Sequence, residues 1–170
     1  MPSAKSSAAE RFEQAAAALG VDADIKRFPE GTRTAADAAA AVGCDLGQIV
    51  KSLVFECDGE PVLALTSGAE RVDTSALGRL IGGIVTKASA DTVKTATGYS
   101  IGGTPPFGHS NPLRTFIDAS LLRYDIVWAA AGTPELVFAL PSSDLARITS
   151  GAAAEFTIQQ PPAPQPSHDG

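Results

Sequence analysis

Two hydrophobic rhythms run through this chain. The first is helical. Ser7 to Leu19 is dense in strong helix formers, with Ser7 placed as a cap and Gly20 as a stop. Thr34 opens an alanine-rich helix that reaches Val42, with Asp37 three residues on as a capping-box variant and Gly43 as its end. Asp73 to Ile81 reads as a capped helix stopped by Gly82-Gly83, and Ser89 caps another through Ala96, stopped by Gly98. Ser142 or Ser143 is expected to cap a last helix ending near Ser150-Gly151.

The second rhythm has the two-residue period of strands. Its clearest instance is Gln48 to Cys57, followed by Asp58-Gly59 and by Pro61 to Thr66. Asp-Gly between two apolar runs predicts a hairpin. Shorter strands are expected over Asp24 to Phe28 (closed by Pro29), Ile84 to Lys87, Leu113 to Asp118, Asp125 to Ala130, Leu136 to Leu140 and Glu155 to Ile158, with one helical turn after Asp118. Strands interleaved with helices predict an α/β or α+β domain built on a mixed sheet. Residues 1–6 are expected to fray, 7–158 to form one domain, and the Pro/Gln-rich 159–170, which carries His168, to be disordered.

Composition narrows the function classes. The 170 residues suffice for one sizeable core, and 44% hydrophobic content fits a soluble globular protein. No apolar run is long enough to span a bilayer and no signal-type segment opens the chain, so a cytoplasmic location and no membrane partner are expected. A net charge of −6 argues against broad nucleic-acid binding, DNA included. Arg71, Arg79, Lys87 and Lys94 could still form a local positive surface, although scattered charges are more often a solvated face. Cys44 and Cys57 have no metal-site spacing, and no cofactor or metal is expected.

Two features stand out from this background. Within the first hairpin strand, Ile49, Lys51, Leu53 and Phe55 share one face, and Val50, Ser52 and Val54 share the other. Lys51 is thus a cation amid apolar side chains. It is either a snorkelling or edge-guarding lysine, or an ammonium aimed into a pocket that meets a carbonyl or phosphate oxygen. The other feature is Gly98-Tyr-Ser-Ile-Gly-Gly-Thr-Pro-Pro-Phe-Gly-His109. Glycines 102, 103 and 108 around prolines 105 and 106 specify a stiff loop whose amides can approach a ligand, or simply a structural turn. Its spacing matches neither a phosphate-binding nor a dinucleotide fingerprint. His109 is read as a loop-end side chain facing water.

The chain lacks the nucleophile elbow and has no histidine–nucleophile constellation. What remains is positioning and electrostatics, which suffice where a substrate is already activated.

Thr97 to Gly108, together with Gln48-Ile-Val-Lys-Ser-Leu-Val54 and Arg114-Thr-Phe-Ile-Asp118, resembles YbaK/EbsC-type proteins, the free-standing relatives of the insertion domain of bacterial prolyl-tRNA synthetase, over roughly residues 8–157. The resemblance implies a barrel-like mixed sheet surrounded by helices. It implies a trans-editing hydrolase that cleaves the ester between a wrong amino acid, such as Cys or Ala, and the 3′ acceptor end of a tRNA, often a proline tRNA. Prolyl-tRNA synthetase would be a partner. Carried over by position, Lys51 would hold the substrate's 3′ end. Gly102 and Gly103, with Pro106 setting the turn, would present backbone to the aminoacyl carbonyl. Thr104, Gly108, Ser100, Phe28, Phe55, Thr66 and His109 would line the substrate. Water or a substrate hydroxyl would attack. The alternative from another class is a module that binds a tRNA end or nucleotide without turnover.

Overall fold

The computed structural model describes residues 7–28 and 34–159. The first helix, α1 (Ala8–Ala18), begins at a complete capping box: the Ser7 hydroxyl accepts from the Glu10 N–H, and the Glu10 carboxylate accepts from the Ser7 N–H. Next come β1 (Asp24–Arg27) and α2 (Ala35–Val42), the latter capped by Thr34 and ended by Gly43 in the left-handed region. The central hairpin is β2 (Ile49–Cys57) and β3 (Glu60–Ser67). Its turn has positive φ at both Asp58 and Gly59, which matches the twist of the flanking strands.

A short strand that the sequence pattern did not announce, β4 (Glu70–Val72), precedes α3 (Thr74–Ile81), β5 (Val85–Lys87) and α4 (Ala90–Thr97). Beyond the Gly/Pro loop lie β6 (Arg114–Asp118), a 3-10 turn at Ala119–Arg123, β7 (Ile126–Ala130), β8 (Leu136–Pro141) and α5 (Ser142–Thr149). The chain closes with β9 (Ala152–Ala154) and β10 (Thr157–Gln159).

Two expectations need correction, while the expected mixed sheet is present without closing into a barrel. Helix α5 starts directly after Pro141 with no side-chain cap, because the Ser142 hydroxyl donates instead to the Tyr124 carbonyl. The strand expected over Glu155 to Ile158 falls at Thr157–Gln159 as β10, so Gln159 belongs to it rather than to a tail, and a separate strand, β9, precedes it at Ala152–Ala154. The strand order is β1-β8-β7-β2-β3-β6-β9 with β5 also on β2, and β1 does not pair with β9, so the mixed sheet is open and not a closed barrel. Pro29, residues 1–6 and residues 160–170 lie outside the described residues.

The sheet is covered on both faces. The main core gathers Phe12 and Ala16 of α1 with Val50, Val54, Leu63, Leu65, Ile117, Val127, Phe138, Tyr99 and Phe107. Phe55, Val62, Ala64 and Phe116 point the other way, beneath Leu77 of α3 and Phe156. Ile49 packs against Ala38 and Ala39 of α2. Burial at roughly 25 cal/mol per Å2 of apolar surface is what holds these layers. Among the described residues, no helix is long and apolar enough to cross a membrane.

Candidate functional site

Lys51 sits on β2 directly opposite Thr66 of β3, and parallel pairing of Leu65 with Ile117 brings Asp118 of β6 beside Thr66. The lysine is half-buried, and its ammonium donates to the Glu70 carbonyl at 2.6 Å. Burial pushes its pKa below the ordinary lysine value, while the carboxylates of Asp118 and then Glu70 pull it back up. No ion pair shorter than 4 Å engages it among the described residues. Asp118 is 2% exposed, and its carboxylate accepts from the N–H groups of Ser67 (3.0 Å) and Ser120 (2.9 Å) and from the Ser120 hydroxyl. Nothing local in the sequence singles out Asp118 as part of this row. Its register against the lysine row is set by long-range pairing that no local pattern encodes.

The Gly/Pro loop is held from below and at both ends. Phe107 packs tilted against Phe12 (centroids 5.4 Å) and edge-on against Phe138 (5.8 Å). Ser110 N–H donates to the Thr97 carbonyl at 2.9 Å, and Arg11 donates to the Gly98 carbonyl at 2.8 Å while lying over the Tyr99 ring. Within the loop, the carbonyl of exposed Ser100 accepts from the Gly103 N–H and from the buried Thr104 hydroxyl, both at 3.0 Å. The Gly103 amide is therefore engaged inside the loop, and the donor left for a ligand is Gly102, exposed with φ +90° and no hydrogen bond of its own among the described residues. Gly103 is required for a close approach: a Cβ there would lie 2.8 Å from the Gly132 carbonyl oxygen and from Thr133 Cα. Gly108, at φ +80°, sits on Ala15 of α1.

His109 does not face water as expected. Its Nε2 lies 2.7 Å from the Pro105 carbonyl, and burial lowers its pKa, so the ring braces the proline pair in its neutral form. Pro105 and Pro106 are buried. Ile101 stands 60% exposed at the loop's apex.

The turn between β7 and β8 connects the two features. β7 runs parallel to β2 only as far as Val50 opposite Ala129, one residue before Lys51. The chain then turns through Gly132 and Thr133, where Gly103 docks. The loop's buried anchors, Tyr99 and Phe107, lie on the Val50/Val54 face of β2, whereas Lys51 projects from the opposite face. Loop and lysine thus approach the point where β7 leaves β2 from opposite faces of the sheet, and among the described residues no hydrogen bond joins them. Of the other candidates, Thr66 is fully buried beside Lys51. Phe28 is half-buried, with its N–H on the Glu135 carbonyl just before β8, close in sequence to the Gly132–Thr133 turn. Phe55 fills the second core cluster under α3, so it packs the fold instead of lining the seam. Among the described residues, no group of three His, Cys, Asp or Glu could hold a metal ion.

Residues 29–148 match the family model described as the aminoacyl-tRNA editing domain. The chain belongs to that family. This editing domain is 29% identical over 127 residues to the uncharacterised protein YwhH of Bacillus subtilis (strain 168), which covers 74% of this chain and 81% of that protein. It is 36% identical over 93 residues to the proline–tRNA ligase of Maridesulfovibrio salexigens, a span that is 54% of this chain and only 16% of the ligase. Among solved structures, a "putative trans-editing enzyme for prolyl tRNA synthetase" superposes with a TM-score of 0.86 at 40% identity, covering 91% of this chain and 99% of that one. The hypothetical protein APE2540 superposes at 0.82 with 27% identity over 88% and 100% of the two chains. These likenesses fit a mixed α/β editing-domain fold and connect it with the editing region of prolyl-tRNA synthetases.

Proposed function

We propose that this editing domain is a free-standing hydrolase that deacylates mischarged tRNA, with proline tRNA carrying Cys or Ala as the substrate class. The observation that carries the reading is the seam where β7 leaves β2. There Gly103 docks on Gly132 and Thr133, the turn that follows β7, and β7 parts from β2 one residue before half-buried Lys51, which supports a substrate spanning the two. Similarity to a protein described as trans-editing for prolyl-tRNA synthetase supports the substrate class.

In the proposed reaction Lys51 holds the phosphate or carbonyl oxygen of the tRNA 3′ end, exchanging the Glu70 carbonyl for it. The Gly102 N–H faces the ester carbonyl, with Pro106 fixing the turn. A water oxygen bonds to the carbonyl carbon, and the bond from that carbon to the ribose oxygen breaks. A water proton ends on the ribose oxygen, releasing free amino acid and a 3′ hydroxyl. The backbone donor and the ammonium lower the barrier by meeting the developing oxyanion, and no protein nucleophile is needed. Ile101 offers an apolar contact for the acceptor end. Prolyl-tRNA synthetase is the expected partner and the cytoplasm the expected location.

The test is release of amino acid from Ala-, Cys- and Ser-charged proline tRNA under multiple-turnover conditions. Turnover is expected. Saturable binding of the charged tRNA without release would replace the hydrolase with a binding module.

A further inference from the structure

Strand β2 changes neighbours partway along one edge. β7 lies against Ile49 and Val50, β5 lies against Phe55 to Cys57, and among the described residues no strand is in register with Lys51 to Val54 on that side. The Ile49 carbonyl accepts from Gly68 N–H at 2.7 Å on the β3 side. The Val54 carbonyl accepts from Ala88 N–H at 3.4 Å on the other. Residues of a strand in an antiparallel pair turn their N–H and C=O alternately toward and away from the partner. Ser52 therefore points both groups at the opened edge.

A second observation falls at the same place. The Ser52 hydroxyl oxygen is buried and has no hydrogen-bond partner among the described residues. The same holds for the hydroxyl of Tyr99, the residue that opens the Gly/Pro loop and packs with Val50 and Val54 on either side of Ser52. Buried hydroxyls are normally paired, so the Ser52 orphan on the strand whose edge is unpaired marks where a polar ligand would complete the structure.

We propose that Ser52 grips the amino acid of the substrate ester as though it were one more strand residue. An aminoacyl ester carries an amino donor and a carbonyl acceptor on the same α-carbon, as a residue in a strand does. Its amino group donates to the Ser52 C=O and its ester carbonyl accepts from the Ser52 N–H, the two-bond pairing of an antiparallel couple. The side chain of the amino acid then leaves the sheet plane, so the grip is common to every amino acid removed. The Ser52 N–H joins Gly102 on the same carbonyl. The inference rests on the deacylase reading of this site and adds the atoms that hold the acyl part.

The probe is 3′-alanylamino-3′-deoxyadenosine, whose amide resists hydrolysis, compared with its 3′-propionylamino counterpart, which lacks only the α-amino group. The Ser52 amide resonance, followed by 15N-edited NMR, is expected to move downfield and saturate with the alanyl probe. The propionyl probe is expected to bind about five- to tenfold more weakly, the loss of one hydrogen bond. Binding of the alanyl probe with the Ser52 amide unmoved, or equal affinity for the two probes, overturns the inference. Deacylation of charged tRNA is measured on the same sample. Release with an unresponsive Ser52 overturns the grip and leaves the hydrolase. A responsive Ser52 without release leaves the grip and overturns the hydrolase. Neither binding nor release overturns both.

Discussion

The Gly/Pro loop and the Lys51 row are built by opposite means. The loop is nearly uncharged. Its shape comes from backbone hydrogen bonds, two buried prolines and the Phe107 anchor in the main core. The Lys51 row is a line of polar side chains, Lys51, Thr66 and Asp118, laid across three strands by their register. Steric change should therefore break the first, and change of charge the second. In the proposed reaction the labour is divided between a rigid N–H donor at Gly102 and a tethered cation at Lys51, with the attack left to water.

The largest effect expected is on the loop's anchor. Phe107→Ala removes a ring packed on Phe12 and Phe138 and should cost about 3–5 kcal/mol of stability in urea denaturation. A loss below 1 kcal/mol would mean that the glycines and prolines hold the loop unaided. Lys51→Ala is expected to lower deacylation about 100-fold or more while circular dichroism and urea midpoint stay near wild type. Gly103→Ala should cost about 1–3 kcal/mol of stability, because its Cβ meets backbone at Gly132 and Thr133 instead of a movable side chain. The same variant should slow deacylation without changing its pH profile, as expected of a steric fault in a neutral element.

The smallest effect is the pH response of His109. Its pKa is lowered in the folded protein by burial, so just below its unfolded value of about 6.5 the unfolded chain binds more protons. Stability should fall as pH drops from about 6.5 toward the folded pKa, and flatten below it. His109→Gln should remove that slope, measured as urea midpoints between pH 7 and 5. An unchanged slope would contradict the bracing role assigned to the neutral ring.

Most elements were legible because their signals are local. Ser7 with Glu10, Thr34 with Asp37, the Asp58-Gly59 turn and the glycine stops at 43, 82 and 98 each act within one turn of chain. What escaped depends on distant partners. β4 is a strand only because Thr157 to Gln159 returns to pair with it. Ser142 leaves its capping role because the Tyr124 carbonyl lies within reach. Lys51 and the loop could be picked out by composition, an ammonium on an oily strand and glycines among prolines. Asp118, Ser52 and the engagement of the Gly103 amide could not, since each is defined by what register or loop closure places beside it.

The account stands or falls on one rate: amino-acid release from Ala- and Cys-charged proline tRNA by the wild-type protein, with Lys51→Ala measured alongside at matched concentration. Multiple turnovers by the wild type and a loss of about two orders of magnitude in the variant are the predicted result. Equal turnover by both proteins would contradict the role given to the lysine, and no release by either would contradict the hydrolase itself.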